Sequence, residues 1–166
     1  MSIRFLLACL LLSLVVGCNT EQVNLVIGDE KKFAELVAAH QGEVVFVDFW
    51  ATWCDTCVEG FPHSVQLSRK HKDEGLATIA VSFDELQNEP AVRQFLAKQG
   101  ADFENVLSIY DGANQEAAEG FEMSALPQYR LYDRMGQLRY RWEADAEELK
   151  QPGILEEKIA ELLAEK

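Results

Sequence analysis

The sequence predicts an α/β domain whose mixed β-sheet is flanked by helices on both faces. Three observations lead there. Two strand-length apolar runs, Val44–Trp50 and Leu76–Phe83, are nearly continuous rather than alternating, as strands covered on both faces require. Segments with helical periodicity stand before, between and after them. The last third changes to a period of two and closes on another helix, which adds antiparallel strands to the sheet. The size agrees, since 166 residues, 48% of them hydrophobic, suffice for a single core. With 28 acidic and 15 basic side chains the formal net charge is −13. A chain this acidic lacks the basic stripe needed to bind a phosphate backbone, so nucleic acid is excluded as a partner. The apolar fraction is too high for a disordered acidic chain. Four Cys are too few for a disulfide-stapled miniprotein.

In chain order, Met1–Arg4 is a short basic start and Phe5–Val16 an uncharged run, signal-peptide core in length and too short to span a bilayer as a helix. Leu14-Val15-Val16-Gly17-Cys18 resembles the lipobox of bacterial lipoproteins, with Val15 where Leu is more usual. That resemblance implies a signal peptide over 1–17, removed together with Cys9, and a lipidated Cys18. Asn19 in place of Asp favours an outer-membrane over an inner-membrane destination. Residues 18–29 are expected to be a tether, and 30–166 the folded domain. Glu30–Gln41 places Phe33, Leu36 and Val37 on one face as an amphipathic helix. A helix is expected from about Cys54 to His71, with Pro62 as a kink. Pro90–Gln99 is helical, Val106–Tyr110 a short strand, and Gln115–Gly120 a turn or two of helix. Tyr129, Leu131, Leu138, Tyr140 and Trp142 alternate with arginines around the turn Asp133–Gly136, giving a hairpin. Ile154, Leu155, Ile159, Leu162 and Leu163 mark the closing helix.

Chemistry concentrates at Trp53-Cys54-Asp55-Thr56-Cys57, just beyond the carboxyl end of the first buried strand, where open α/β sheets place their sites. Two thiols in this spacing at a helix start can close a disulfide. Cys54 lies near the unpaired amides and positive dipole end, which favour a thiolate. Cys57 lies a turn deeper. Cys54 is therefore the candidate nucleophile toward a partner disulfide and Cys57 the resolving thiol. A CxxC is also half a zinc site, but no second CxxC follows, and His63, six residues past Cys57, is poorly aligned to join it. No metal is expected. Asp48, a lone acid within the first buried run, is costly to bury as an anion and tends to hold its proton. It is a candidate proton acceptor for Cys57, directly or through water, during resolution of a mixed disulfide; the alternative is an acid satisfied by backbone donors.

The segment Val47–Cys57 resembles the active-site segment of thioredoxin-like proteins, and the downstream pattern is closest to their membrane-tethered, extracytoplasmic TlpA and ResA type thiol–disulfide oxidoreductases. Pro62 matches the helix proline of that family and Tyr132–Gly136 its strand and turn. The resemblance implies that Leu126-Pro127 is the cis-proline site, packed against the CxxC, with Leu126 offering its backbone to an extended substrate. Trp53, Asp55 and Thr56 complete the implied substrate-binding rim. Two departures stand out. Gly60 occupies the place where the ResA-like branch commonly has Glu, and Glu59, about 100° away around a helix, does not replace it. Asp-Thr rather than Gly-Pro separates the cysteines, and an acid beside Cys54 opposes its thiolate, which makes a less oxidising couple. The reading is a reductase or exchanger acting on cysteines of exported proteins, lipid-anchored in the cell envelope and facing the periplasm. Its cofactor is its own Cys54–Cys57 disulfide, and a membrane reductase is a candidate electron donor. Two other classes stand beside it: a Cu(I)-binding module using the same sulfurs, and a redox-inert scaffold binding through the Pro127 loop.

Overall fold

The computed structural model describes residues 23–110 and 114–165. Cys9, Cys18 and the run Phe5–Val16 lie outside them. Six strands and five helices follow in the order β1 (Leu25–Gly28), α1 (Glu30–Ala39), β2 (Val44–Trp50), α2 (Asp55–His71), β3 (Leu76–Ser82), α3 (Glu89–Gln99), β4 (Glu104–Ser108), α4 (Gln115–Gly120), β5 (Gln128–Tyr132), β6 (Leu138–Glu143) and α5 (Ile154–Ala164). The strands form one sheet in the order β1-β4-β3-β2-β5-β6. β1, β4, β3 and β2 run parallel, while β5 is antiparallel to β2 and β6 to β5. This is the thioredoxin-like mixed sheet that the sequence predicts.

The continuous apolar run explains why β2 sits inside. All seven of its residues are buried, and it is paired on both sides, by β3 and β5. Its residues alternate between two cores, as the period of a strand dictates. Val45, Val47 and Phe49 face α1 and α4, where Phe33 and Phe121 meet Phe49 at ring distances of 5.5 and 6.2 Å. Val44, Phe46 and Trp50 face α2, α3 and α5, where Phe61, Leu96 and Ile159 close over them. Asp48 falls on this second face, beneath α2.

Two boundaries differ from expectation. The expected tether gives way to structure within its span: Leu25–Gly28 is an edge strand, parallel to β4 from Leu25 opposite Asn105 to Gly28 opposite Ser108. Its four residues are too few to show a period, and its ladder partner lies some eighty positions away in the chain. The Arg93 guanidinium ties down its start, donating to the carbonyls of Val23 (3.2 Å) and Leu25 (3.1 Å). The folded domain therefore includes residues assigned above to the tether. The fourth strand runs over Glu104–Ser108 instead of Val106–Tyr110, because Ile109 and Tyr110 turn away to meet Gly28 and Glu30. Helix α2 is continuous across Pro62.

A chain beginning at residue 30 leaves β4 as a bare edge and removes the buried Leu25. Its unfolding free energy, from chemical denaturation, should fall by at least about 2 kcal/mol relative to the full chain.

Candidate redox site

The site lies where β2 ends and α2 begins. Trp50 finishes the strand inside the core, with its ring 4.7 Å from both Phe61 and Phe95. The chain then turns through Ala51, Thr52 and Trp53, and the Cys54 amide donates to the Ala51 carbonyl at 3.2 Å. This turn is pinned from the neighbouring strand. The Asp84 carboxyl, 0% exposed just past β3, accepts from the Thr52 amide (2.9 Å), the Thr52 hydroxyl and the Ser82 hydroxyl (2.7 Å). Sequence reasoning did not single out Asp84. The available signal was an acid directly after a buried strand at the same sheet edge as the cysteines.

Cys54 is the N-cap of α2, and its sulfur accepts the Cys57 amide at 3.3 Å. A side-chain atom in this position satisfies one of the amides that a helix start leaves unpaired. The Thr56 hydroxyl approaches the same sulfur at 3.5 Å. The two cysteines are joined as a disulfide with their Cα atoms 5.2 Å apart. Cys54 is 8% exposed and Cys57 only 2%. The less buried sulfur is thus the one that accepts an amide, and the deeper one is shielded. Asp55 and Thr56 are exposed, and Trp53 stands out at 54% exposure, in contrast to the buried Trp50.

Across from the cysteines, the Leu126–Pro127 peptide bond is cis. Leu126 packs, half-buried, against the apolar cluster that contains Cys54 and Cys57. The segment leading to this bond is braced from β5. Buried Arg130 stacks over the Phe49 ring at 4.6 Å and donates to the carbonyls of Phe121 and Glu122 and to the Gln128 side chain. Glu122 has a left-handed backbone (φ 49°), and Arg141 also grips its carbonyl. These two arginines hold a turn that a non-glycine residue seldom adopts.

Asp48 is 2% exposed, opposite Ala80 on β3 and Tyr129 on β5. Its Oδ2 accepts the Ser64 hydroxyl at 2.6 Å, while Oδ1 has no partner. Burial pushes its carboxyl up to about 7, against the opposing pull of the Ser64 hydrogen bond. The backbone-donor alternative for this acid does not hold, because its partner is a side chain. Ser64 follows Cys57 by seven residues, two helical turns along the same buried face. Gly60 lies between them, and a Cβ there would meet the Tyr129 hydroxyl at 3.2 Å. The place at which the ResA-like pattern has Glu is thus a notch taken by a tyrosine from β5. His63 is exposed, away from the sulfurs. Among the described residues no group of three or more His, Cys, Asp or Glu could hold a metal ion.

Comparison with known proteins agrees with this geometry. Residues 26–158 match the Redoxin family. The chain is 29% identical to thiol-disulfide oxidoreductase ResA of Bacillus subtilis, over 59% of this chain and 51% of that protein. It is 25% identical to ResA of Geobacillus kaustophilus, over 75% of this chain and 68% of the relative. The match therefore spans about half the length of the first of these relatives. Among solved structures, a Chlorobium tepidum protein named as thiol:disulfide interchange protein DsbE superposes with a TM-score of 0.63 at 26% identity, covering 77% of this chain and 85% of that one. The chain belongs to the Redoxin family, built on a thioredoxin-like fold around a Cys54–Cys57 redox pair.

Proposed function

We propose that this protein is a thiol–disulfide oxidoreductase that reduces or exchanges disulfides in exported proteins, anchored in the cell envelope through a lipid on Cys18 and facing the periplasm. The observation that carries the chemistry is the asymmetry of the pair. Cys54 is the less buried of the two and accepts an amide of a helix start, and Cys57 lies deeper in the apolar cluster on which Leu126 of the cis-proline bond packs. The lipobox-like Leu14–Cys18 supports the anchor. The acidic composition agrees with protein partners and no nucleic acid.

The reaction begins from the dithiol, supplied by an external thiol donor such as a membrane reductase. The Cys54 thiolate attacks one sulfur of a client disulfide. A Cys54–client bond forms, and the second client sulfur leaves as a thiolate that takes up a proton. The client backbone lies along Leu126, adding as a short strand, which recognises main chain and tolerates varied side chains. Cys57 then gives its proton to Asp48, and its thiolate attacks the Cys54 sulfur. The Cys54–Cys57 bond forms, the Cys54–client bond breaks, and the client sulfur leaves as a thiolate that takes up a proton, which completes the client dithiol. Two electrons have passed from the cysteine pair to the client. A carboxyl with its pKa near 7 suits this task, being able to take or return a proton at neutral pH.

The test is direct. With residues 19–166, wild type should show a reversible two-electron couple, and Cys57→Ser should accumulate a mixed disulfide with the client at Cys54, seen by mass spectrometry. A Cys57→Ser protein that turns over normally would refute the assignment. Asp48→Asn should slow resolution of the mixed disulfide by about a hundredfold and remove its pH dependence near 7. The same variant reports on stability. The folded-state pKa of Asp48 lies above its unfolded value, so the native state holds the extra proton between about 4 and 7, and stability falls as pH rises through that window. Relative to wild type, Asp48→Asn should therefore gain about 3–4 kcal/mol in denaturant unfolding between pH 4 and pH 8. Asp55→Asn removes a negative charge beside the Cys54 thiolate and should make the couple more oxidising by about 10–20 mV in a glutathione titration.

A further inference from the structure

Asp48 is an unusual carboxyl in having one oxygen fully engaged and the other bare. Ser64 Oγ donates to Oδ2 at 2.6 Å, and Oδ1 is buried without any partner. Both residues are buried, Asp48 at 2% and Ser64 at 1% exposure. We propose that Ser64 is a positioning residue for the redox reaction: by occupying Oδ2 it fixes the Asp48 carboxyl and leaves Oδ1 as the oxygen that takes and returns the proton of Cys57. This rests on the reading of Asp48 as the proton acceptor.

The surroundings leave Ser64 little competition. From β3 the neighbour is Ala80, which carries no polar group. On the same face of the sheet α5 contributes Leu155 and Ile159 to the apolar cluster around Phe46 and Tyr129. From β5 comes Tyr129, whose hydroxyl lies against Gly60 and whose pKa burial, then the Asp48 charge, pushes up, so that it stays a neutral phenol. From α2 comes Ser64 itself, seven residues past Cys57 on the same buried face of the helix. Among the described residues no Lys, Arg or His pairs with Asp48. Among the described residues the Ser64 hydroxyl is the only hydrogen-bond donor to this carboxyl. A donor to the charged form favours it and holds the pKa down. Ser64 thus limits how far burial raises Asp48 and keeps the acceptor usable near neutrality. A serine that merely filled space would have neither effect.

The experiment uses the full chain and two readouts, the carboxyl ¹³C titration of Asp48 in the disulfide form and the pH profile of mixed-disulfide resolution. Ser64→Ala should raise the Asp48 midpoint from about 7 by about one pH unit and move the rate profile up with it. Ser64→Thr, which keeps the hydroxyl, should restore both midpoints. Tyr129→Phe should leave the Asp48 midpoint in place. An Asp48 midpoint that stays or falls in Ser64→Ala, or that rises equally in Tyr129→Phe, overturns the role of Ser64 and leaves the acceptor reading standing. A midpoint that rises while the rate profile stays fixed shows that Asp48 does not take the proton, and overturns the acceptor reading and this proposal together.

Discussion

The whole site depends on one contact, the sulfur of Cys54 capping the first turn of α2. A helix start carries unpaired amides and a partial positive charge. Placing a sulfur there gives those amides a partner and at the same time gives a thiolate its stabilisation. Structure and reactivity therefore draw on the same hydrogen bond. The rest of the fold keeps this helix start at the sheet edge. β2 is paired on both sides and buried throughout, Asp84 holds the turn that links it to α2, and Trp50 locks the strand end between Phe61 and Phe95.

Around this contact, polarity is rationed by depth. Donors gather on the outer sulfur, the inner sulfur lies in an apolar cluster, and beneath α2 a carboxyl carries a single hydrogen bond. A buried anion with one donor is destabilising, and the fold bears that cost at a residue it could have filled with valine. Natural proteins retain such groups chiefly where chemistry uses them. Arg130 is a second buried charge with a different resolution. It is satisfied by main-chain carbonyls and an aromatic face, and it shapes the loop that ends in the cis-proline.

Much of this was legible in the sequence because its signals are local. The continuous run Val44–Trp50 could only be an interior strand, the period of two around Asp133–Gly136 specified the hairpin, and the CxxC at a strand–helix junction identified the sulfurs. The cis bond before Pro127 came only from family resemblance, since local sequence does not determine it. What escaped were contacts between distant positions. Ser64 meets Asp48 across sixteen residues and Thr52 meets Asp84 across thirty-two. Tyr129 fills the Gly60 notch by way of sheet register that no single segment encodes. Leu25–Gly28 escaped for a related reason, because four residues become a strand only when β4 offers an edge.

That first strand also orients the molecule. β1 is parallel to β4, β4 to β3 and β3 to β2, so all four point the same way, and the sulfurs lie beyond the carboxyl end of the last. Leu25, clasped by Arg93, starts level with the site: it lies opposite Asn105, Asn105 opposite Ala80 and Ala80 opposite Asp48, and Val23 and Leu25 join the apolar cluster that holds Cys54 and Cys57. Whatever holds this chain from its amino side therefore pulls on the β1 edge of the sheet, with β4 and β3 between it and β2, and a surface to which it is moored lies beside the sulfur-bearing end of the sheet rather than behind it.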